Sequence, residues 1–223
     1  MEKQCLIAID GPVGAGKSTV AKITAKKLNI VYIDTGAMYR TVGLYVIRKG
    51  LDTTKPEQVN SLLDEINLDV KLSNDGQRIF LNGEDVTNLI RTPEISMAAS
   101  NVSAVPEVRE KMVFMQRKLA ESKSVIMDGR DIGTVVLPNA TTKIFLNASI
   151  DVRADRRYKE LIRKGQNVTF DEVKADIIKR DNNDMSRATS PLKKADDAIE
   201  VDTTGKSLDE VVSEIIEIVN KSK

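Results

Sequence analysis

Residues 11–18 read Gly11-Pro12-Val13-Gly14-Ala15-Gly16-Lys17-Ser18, a complete G-x-x-x-x-G-K-[ST] phosphate loop. An apolar run, Cys5-Leu6-Ile7-Ala8-Ile9, leads into it, and a helix-like stretch over 17–28 leads out. Glycines let consecutive N–H groups curl toward a polyphosphate. The helix that starts at the loop adds unpaired N–H groups and a favourable dipole. Lys17 is placed to reach the β/γ-phosphates and the Ser18 hydroxyl to ligate Mg²⁺. Strand, loop and helix in this order commit the chain to an α/β fold built around a nucleoside triphosphate.

The remaining sequence supplies such a sheet. Near-continuous apolar runs at 4–10, 30–34, 124–128, 142–147 and 198–202 predict five strands buried on both faces, as in a parallel sheet. Helices between them make the crossovers right-handed. They are expected over 17–28, 36–49 (with Gly50 as C′ residue), 106–120 (opened by Pro106) and 208–219, where Ser207 and Glu210 have capping-box spacing. With 223 residues, one α/β core with small inserts is affordable. Cys5, the one cysteine, has no intrachain partner and reads as a small core hydrophobe of the first strand.

Composition narrows the chemistry. A net charge of +1 argues against a broad nucleic-acid surface, so phosphate contacts should be local. There is no histidine, which removes the near-neutral proton shuttle, acyl-transfer triads and histidine metal sites. Phosphoryl transfer tolerates that loss because it rests on positioning and charge neutralisation. The first apolar run is too short for a secretory leader and no stretch reaches the length of a membrane span. A cytoplasmic protein is expected, monomeric by default.

Two regions break the strand–helix rhythm. In residues 62–103, alternation around Asn74-Asp75-Gly76 predicts a hairpin, followed by the small-residue stretch Ser96-Met97-Ala98-Ala99-Ser100. Residues 151–187 are rich in charge, with Arg153, Arg156, Arg157, Arg163, Arg180 and Arg187. That region reads either as a solvated helical pair or as an arginine-bearing lid over phosphates. The expected division is a core of 1–61, 104–150 and 188–223, an insert of 62–103 and a lid of 151–187.

Three further segments should meet the phosphate loop at the carboxyl ends of the strands. Asp34-Thr35-Gly36-Ala37-Met38-Tyr39-Arg40 opens a helix and suits a monophosphate, with Arg40 as a bidentate fork; an N-cap with an ordinary surface arginine is the alternative. Asp128-Gly129-Arg130-Asp131 ends an apolar strand, so Asp128 reads as a carboxylate near Mg²⁺. Arg130 is placed to clamp the acceptor phosphate and Asp131 to accept from a base amino group, unless these charges pair with each other. Arg180, Asp184 and Arg187 fall at i, i+4 and i+7 and are expected on one helix face, either presenting two cations to phosphate and a carboxylate to ribose or forming an i, i+4 salt bridge.

Taken in order, IAIDGPVGAGKST, IDTGAMYR, IRTPEISMAASNVSAVPEVRE, MDGRDIGTVV, KIFLNASIDVRADRR and IKRDNNDMSRATSPL resemble the bacterial cytidylate kinases over nearly the whole chain. The resemblance implies an adenylate-kinase-like five-stranded parallel core with a monophosphate-binding insert and a helical lid. It implies ATP and Mg²⁺, with CMP or dCMP as acceptor. Carried over by position, Gly11, Pro12, Val13, Gly14, Ala15, Gly16, Lys17, Ser18 and Thr19 would hold the ATP phosphates. Thr35, Tyr39, Arg40 and Arg130 would surround the CMP phosphate, and Ser100, Arg109 and Asp131 would read cytosine. Arg180, Asp184 and Arg187 would face ribose and phosphates. Arg153 and Arg157 would act from the lid, and Ser18 and Asp128 would bind the metal. Competing readings fare worse: a GTP-dependent switch lacks its Asn-Lys-x-Asp element, and a dinucleotide fold needs glycine where Thr19 stands. Shikimate-type kinases have no reason to carry the hairpin insert.

Overall fold

The computed structural model describes residues 4–73 and 76–222. In chain order its elements are β1 (Leu6–Asp10), α1 (Lys17–Leu28), β2 (Val31–Asp34), α2 (Thr35–Arg48), α3 (Pro56–Asn60), β3 (Leu68–Ser73), β4 (Gly76–Leu81), β5 (Glu84–Asp85), α4 (Pro93–Val102), α5 (Pro106–Ala120), β6 (Val125–Gly129), β7 (Thr142–Asn147), α6 (Ile150–Arg163), α7 (Phe170–Ser186), β8 (Ile199–Asp202) and α8 (Leu208–Lys221). Each of the five anticipated strands is present: β1, β2 and β8 start one or two residues later than expected, β6 is shifted by one residue, and β7 keeps its expected bounds. They form one parallel sheet of order β2-β6-β1-β7-β8. Ile7, Ala8 and Ile9 of β1 and Val125, Ile126 and Met127 of β6 are fully buried, as central parallel strands require. Cys5 stands just outside β1, half-buried against this core, rather than within the strand.

Local sequence explains the helix ends. Asp34 caps α2 by accepting from the Ala37 N–H at 2.9 Å, which starts the helix one residue earlier than expected. Gly50 follows α2 with a φ of 71°, the left-handed geometry of a C′ residue. Ser207 and Glu210 form the anticipated capping box of α8.

The hairpin strands β3 and β4 pair antiparallel with Leu72 opposite Gln77, and β5 adds a third strand. Asn74 and Asp75, the expected turn, lie outside the described residues. This small sheet stands apart from the parallel one, yet its apolar face is not a separate core. Leu68, Ile79 and Leu81 join one buried cluster with Met38 and Val42 of α2, Ile95 and Val102 of α4, and Val108 and Met112 of α5. The small-residue stretch forms part of α4. A Cβ on Gly43 of α2 would stand 2.9 Å from the Ala98 Cβ, so the two helices approach as closely as small residues permit. That approach brings Ser100 toward the α2 face that carries Tyr39.

Helices α6 and α7 form a pair with its own apolar contact, Ala154 and Leu161 against Val173 and Ile177, edged by Tyr158 and Phe170. The pair is therefore packed, not merely solvated. Arg187 falls beyond α7, in extended conformation, because the helix ends at Ser186. The expected single helix face of Arg180, Asp184 and Arg187 is thus corrected: the first two share it, and Arg187 enters the site from the following loop.

Candidate active site

A cleft of about 970 Å³ runs across the carboxyl ends of the parallel strands, between the phosphate loop, α2, α4, the 129–131 segment and the α6–α7 pair. Its two ends are built differently.

The donor end is built from backbone. Gly14 and Gly16 adopt φ values of 76° and 91°, which side chains rarely tolerate. Gly16 precedes the first turn of α1 with no side-chain cap, so that turn presents its N–H groups and dipole to the cleft. Lys17 is buried and its Nζ donates to the Pro12 carbonyl at 2.6 Å. Burial, and then the positive charge of Arg130, push its ammonium down to about 7. Such a strained cation favours a bound polyanion, which restores its charge. Ser18 Oγ and Tyr32 Oη each donate at 2.7 Å to the two oxygens of Asp128. Burial and the neighbouring Asp34 raise the Asp128 carboxyl above the usual range. Ser18 and Asp128 are hard oxygen donors that fit Mg²⁺ shared with phosphates, the arrangement this ion prefers over an all-protein cage.

The acceptor end is built from side chains. Asp34 holds Arg40 at 2.8 Å, with Arg91 at 3.8 Å. Thr35 Oγ1 donates to the Asp128 carbonyl at 2.6 Å, locking the start of α2 to the end of β6. Arg130 Nε donates to Asp184 at 2.7 Å. Burial alone would raise the Asp184 carboxyl, but Arg130 and Arg187 outweigh it and hold it below the usual range. Arg109 is buried, pairs with Asp131 and lies 5.4 Å from the centre of the Tyr39 ring. The charges of the 128–131 turn therefore do not pair with each other; Arg130 and Asp131 each find a partner on another helix.

Arg40 Nε, Ser100 Oγ, Arg109 Nε, Arg180 Nε and Arg187 Nη2 are buried with no hydrogen-bond partner among the described residues. Each such group costs about 1–3 kcal/mol, a heavy load on a fold with about 5–15 kcal/mol of net stability. With Tyr39 Oη they make six of the ten such atoms among the described residues, the others being Thr24, Asn60, Gln116 and Thr134 outside the cleft, so the largest group of them faces a place suited to a polar, anionic ligand. Arg180 makes the point again. Burial, and then Arg130, lower its guanidinium to about 10, a sign of excess positive charge.

The cytidylate kinase family model matches residues 7–221. A cytidylate kinase of Bacillus subtilis (strain 168) is 49% identical over 221 residues, covering 99% of each chain. One from Carboxydothermus hydrogenoformans is 50% identical, covering 96% of this chain and 97% of that protein. The chain belongs to the cytidylate kinase family. Among solved structures, an uncharacterized protein from Eubacterium ventriosum superposes with a TM-score of 0.56 at 15% identity, over 97% of this chain and 99% of that one. That likeness speaks to the fold alone.

Membership in the cytidylate kinases does not fix side-chain roles, and the expected site residues stand in different places relative to the cleft. Val13, Gly14, Ala15, Gly16, Lys17, Ser18 and Thr19 line the cleft, but Gly11 and Pro12 do not. A Cβ on Gly11 would stand 2.0 Å from the Leu146 carbonyl oxygen, so this glycine serves the close passage of β7. Pro12 supplies its carbonyl to Lys17 instead. Arg153, expected among the transferring arginines, lies beneath the cleft: its guanidinium donates to the carbonyls of Ala148 and Val13 and pairs with Asp181. Arg157 does reach the cleft, held by Glu160 at 2.8 Å. Thr35, Tyr39, Arg40, Ser100, Arg109, Arg130, Asp131, Arg180, Asp184 and Arg187 all line it.

Five contributors stand outside the expected site residues, although Arg156 is among the arginines noted in 151–187. Tyr32 steadies Asp128, but only its phenol distinguishes it from any apolar strand residue. Gln77 of β4 bonds the Asp34 backbone, accepting from its N–H at 2.7 Å and donating to its carbonyl at 3.2 Å. Arg91 reaches the cleft from the insert. Arg156 lines the donor side, its two terminal nitrogens on Thr203 at 2.8 and 2.9 Å. Asp181 is buried behind the phosphate loop. An acid continuing the helix face begun by Val173 and Ile177 was the one available signal for it.

Proposed function

We propose that this chain transfers the γ-phosphoryl group of ATP to CMP or dCMP, giving ADP and CDP or dCDP, with Mg²⁺. The observation that carries this reading is the pairing of two anion-receiving ends in one cleft, with Arg130 and Arg180 between them. Family membership supports the acceptor.

The Val13–Thr19 segment and the first turn of α1 would hold the donor triphosphate, and Lys17 would neutralise its β/γ oxygens. Mg²⁺ bound by Ser18 and Asp128 would spread charge across the β- and γ-phosphates. Arg40 and Arg130 would grip the acceptor phosphate, fixing its oxygen in line for attack. Arg157, Arg180 and Arg187 would stabilise charge on the transferring group. The attacking phosphate oxygen is already anionic, so no general base is needed, consistent with a histidine-free chain. Asp131, oriented by Arg109, would accept from the cytosine amino group, with Ser100 beside it. Uracil would oppose its carbonyl to that carboxylate, the kind of mismatch that discriminates strongly. Asp184 would accept from ribose hydroxyls. Inward movement of α6 and α7 would exclude water, which competes for the γ-phosphoryl group. One chain carries the whole cleft, so it would act as a monomer, in the cytoplasm where both nucleotides are available. Among the described residues, no helix is long and apolar enough to cross a membrane.

The test is a panel of CMP, dCMP, UMP and AMP, each incubated with Mg·ATP and analysed for diphosphates. CDP and dCDP should form fastest, UDP at least about tenfold more slowly for want of the amino donor. Absence of CDP would refute the reading.

A further inference from the structure

Val13 belongs to the phosphate loop by sequence and to the α6–α7 pair by packing. Its side chain joins Ala154, Leu161, Val173 and Ile177 in one apolar cluster. Its backbone is held from both helices. The Val13 N–H donates to Asp181 of α7 at 2.9 Å, and its carbonyl accepts from Arg153 Nη1 of α6 at 2.8 Å. Arg153 and Asp181 also pair directly, and both are more than nine-tenths buried. The next residue leaves no slack: a Cβ on Gly14 would meet the Arg153 carbonyl oxygen at 3.0 Å and its Cβ at 3.1 Å.

Burying two charges is costly, and similar apolar side chains often serve stability as well or better. Here the pair does something apolar residues cannot, because it holds Val13 by both its N–H and its C=O, fixing the two peptide groups that flank this loop residue. One turn along the same face of α7, Asp184 holds Arg130 of the acceptor end. Helix α7 thus grips the donor loop with one carboxylate and the acceptor machinery with the next.

We propose that Asp181, with Arg153, is a positioning residue that sets the shape of the phosphate loop from the α6–α7 pair and so couples donor binding to acceptor binding. This rests on the phosphotransfer reading for its acceptor half only. The donor half stands without it. A shift of α7 toward the acceptor carries Asp181 with it and turns the Val13 peptide. The donor grip then changes when the acceptor end closes. Coupling of this kind spans about 5–150-fold in affinity and is reciprocal.

The test uses the full chain and two variants, Asp181→Asn and the double variant Arg153→Met/Asp181→Leu, which replaces the pair by side chains of similar volume. Titration calorimetry measures the affinity of the Mg²⁺ complex of β,γ-imido-ATP with and without CMP. Thermal melting reports the fold. The double variant should melt below the parent, because the Val13 N–H and the Val13 and Ala148 carbonyls lose their partners, yet remain folded at assay temperature and bind the ATP analogue about tenfold more weakly. CMP should tighten the analogue at least about fivefold in the parent and less than twofold in the variant. In steady state, KM for ATP should rise and kcat fall, and KM for CMP at saturating ATP should rise by the lost coupling factor, while CMP affinity without nucleotide analogue stays put. Asp181→Asn, whose carbonyl can still accept from Val13 but no longer pairs with Arg153, should fall between the two. A folded double variant with parental analogue affinity and parental coupling would overturn the proposal. A parent that binds the analogue but makes no CDP would instead sink the phosphotransfer reading and leave the donor-side loss as evidence for the clamp.

Discussion

The two ends of the cleft, proposed to hold the donor and acceptor phosphates, are built from different materials. The donor end uses consecutive N–H groups and a helix start, fixed by glycines at 14 and 16 and requiring one short stretch of chain. The acceptor end uses guanidinium groups drawn from α2, α5, α7, the 129–131 turn and the insert. Backbone groups are directed by local conformation, so a local motif suffices to build them. Side chains are directed by the packing beneath them. The acceptor end accordingly depends on a large apolar cluster that unites the insert with α2, α4 and α5. A backbone site should be robust to most side-chain changes and intolerant of a few. A side-chain site should lose function in graded steps.

The largest effect should come from Lys17→Ala. Lys17 is the single buried side-chain cation of the donor loop. A coupled ADP assay should show turnover reduced by at least about 10³-fold, the scale seen when a phosphate-stabilising cation is removed. Retained turnover would mean that backbone alone carries the donor end and would break the comparison at its firmer side.

Arg130→Ala and Arg40→Ala should follow, each lowering kcat/KM for CMP by about 10²-fold. Affinity for an ATP analogue should stay within about threefold of the parent, because neither residue contacts the loop. Arg130→Ala should be the worse of the two. It also strips Asp184 of its 2.7 Å partner, whereas Arg91 remains within 3.8 Å of Asp34 when Arg40 is removed. Equal losses of donor and acceptor affinity would show that the two ends cannot be separated in this way.

The same contrast explains what could be read before any coordinates. Five parallel strands, the helix starts at 17 and 106 and the donor loop all rest on patterns that span fewer than twenty residues. Asp128 was legible because a carboxylate that ends an apolar strand has few structural uses. The arginines were harder. Arg153 and Arg157 differ by four positions on one helix, and only the tertiary position of the phosphate loop decides that the first turns under it and the second into the cleft. Arg187 looked helical because its spacing fits, but the chain leaves the helix one residue before it. Gly11 looked like a phosphate contact because motif glycines usually are, whereas its constraint comes from β7, more than 130 residues away in sequence. The positions of Arg153 and Gly11 are set by long-range contacts, to which short sequence patterns are blind, and that of Arg187 by where a helix ends, which such patterns place only to within a residue or two.

The smallest effect concerns the joint between the ends. Asp10 closes β1, the strand that launches the donor loop, and its two oxygens accept from the Ile132 and Gly133 N–H groups at 2.8 and 2.7 Å. Those groups open the π-type turn 132–136 that follows Arg130 and Asp131. Burial pushes the Asp10 carboxyl up to about 7, against the two N–H donors, which pull it down. Its value in an unfolded chain is near 3.8. Between these values the folded chain binds more protons than the unfolded one, so the contribution of Asp10 to stability is fully present below about pH 4. It is lost as pH rises through 7, with a slope of at most about 1.4 kcal/mol per pH unit. Asp10→Asn cannot titrate, so melts between pH 4 and 7 should show a flatter, less negative slope than the parent. Asn also turns one acceptor into a donor facing an N–H, which should loosen the 132–133 turn and raise KM for CMP a few-fold, leaving KM for ATP nearly unchanged. If KM for ATP rose instead, Asp10 would belong to the donor loop, and the boundary between the two ends would run through the 128–133 segment rather than along β1.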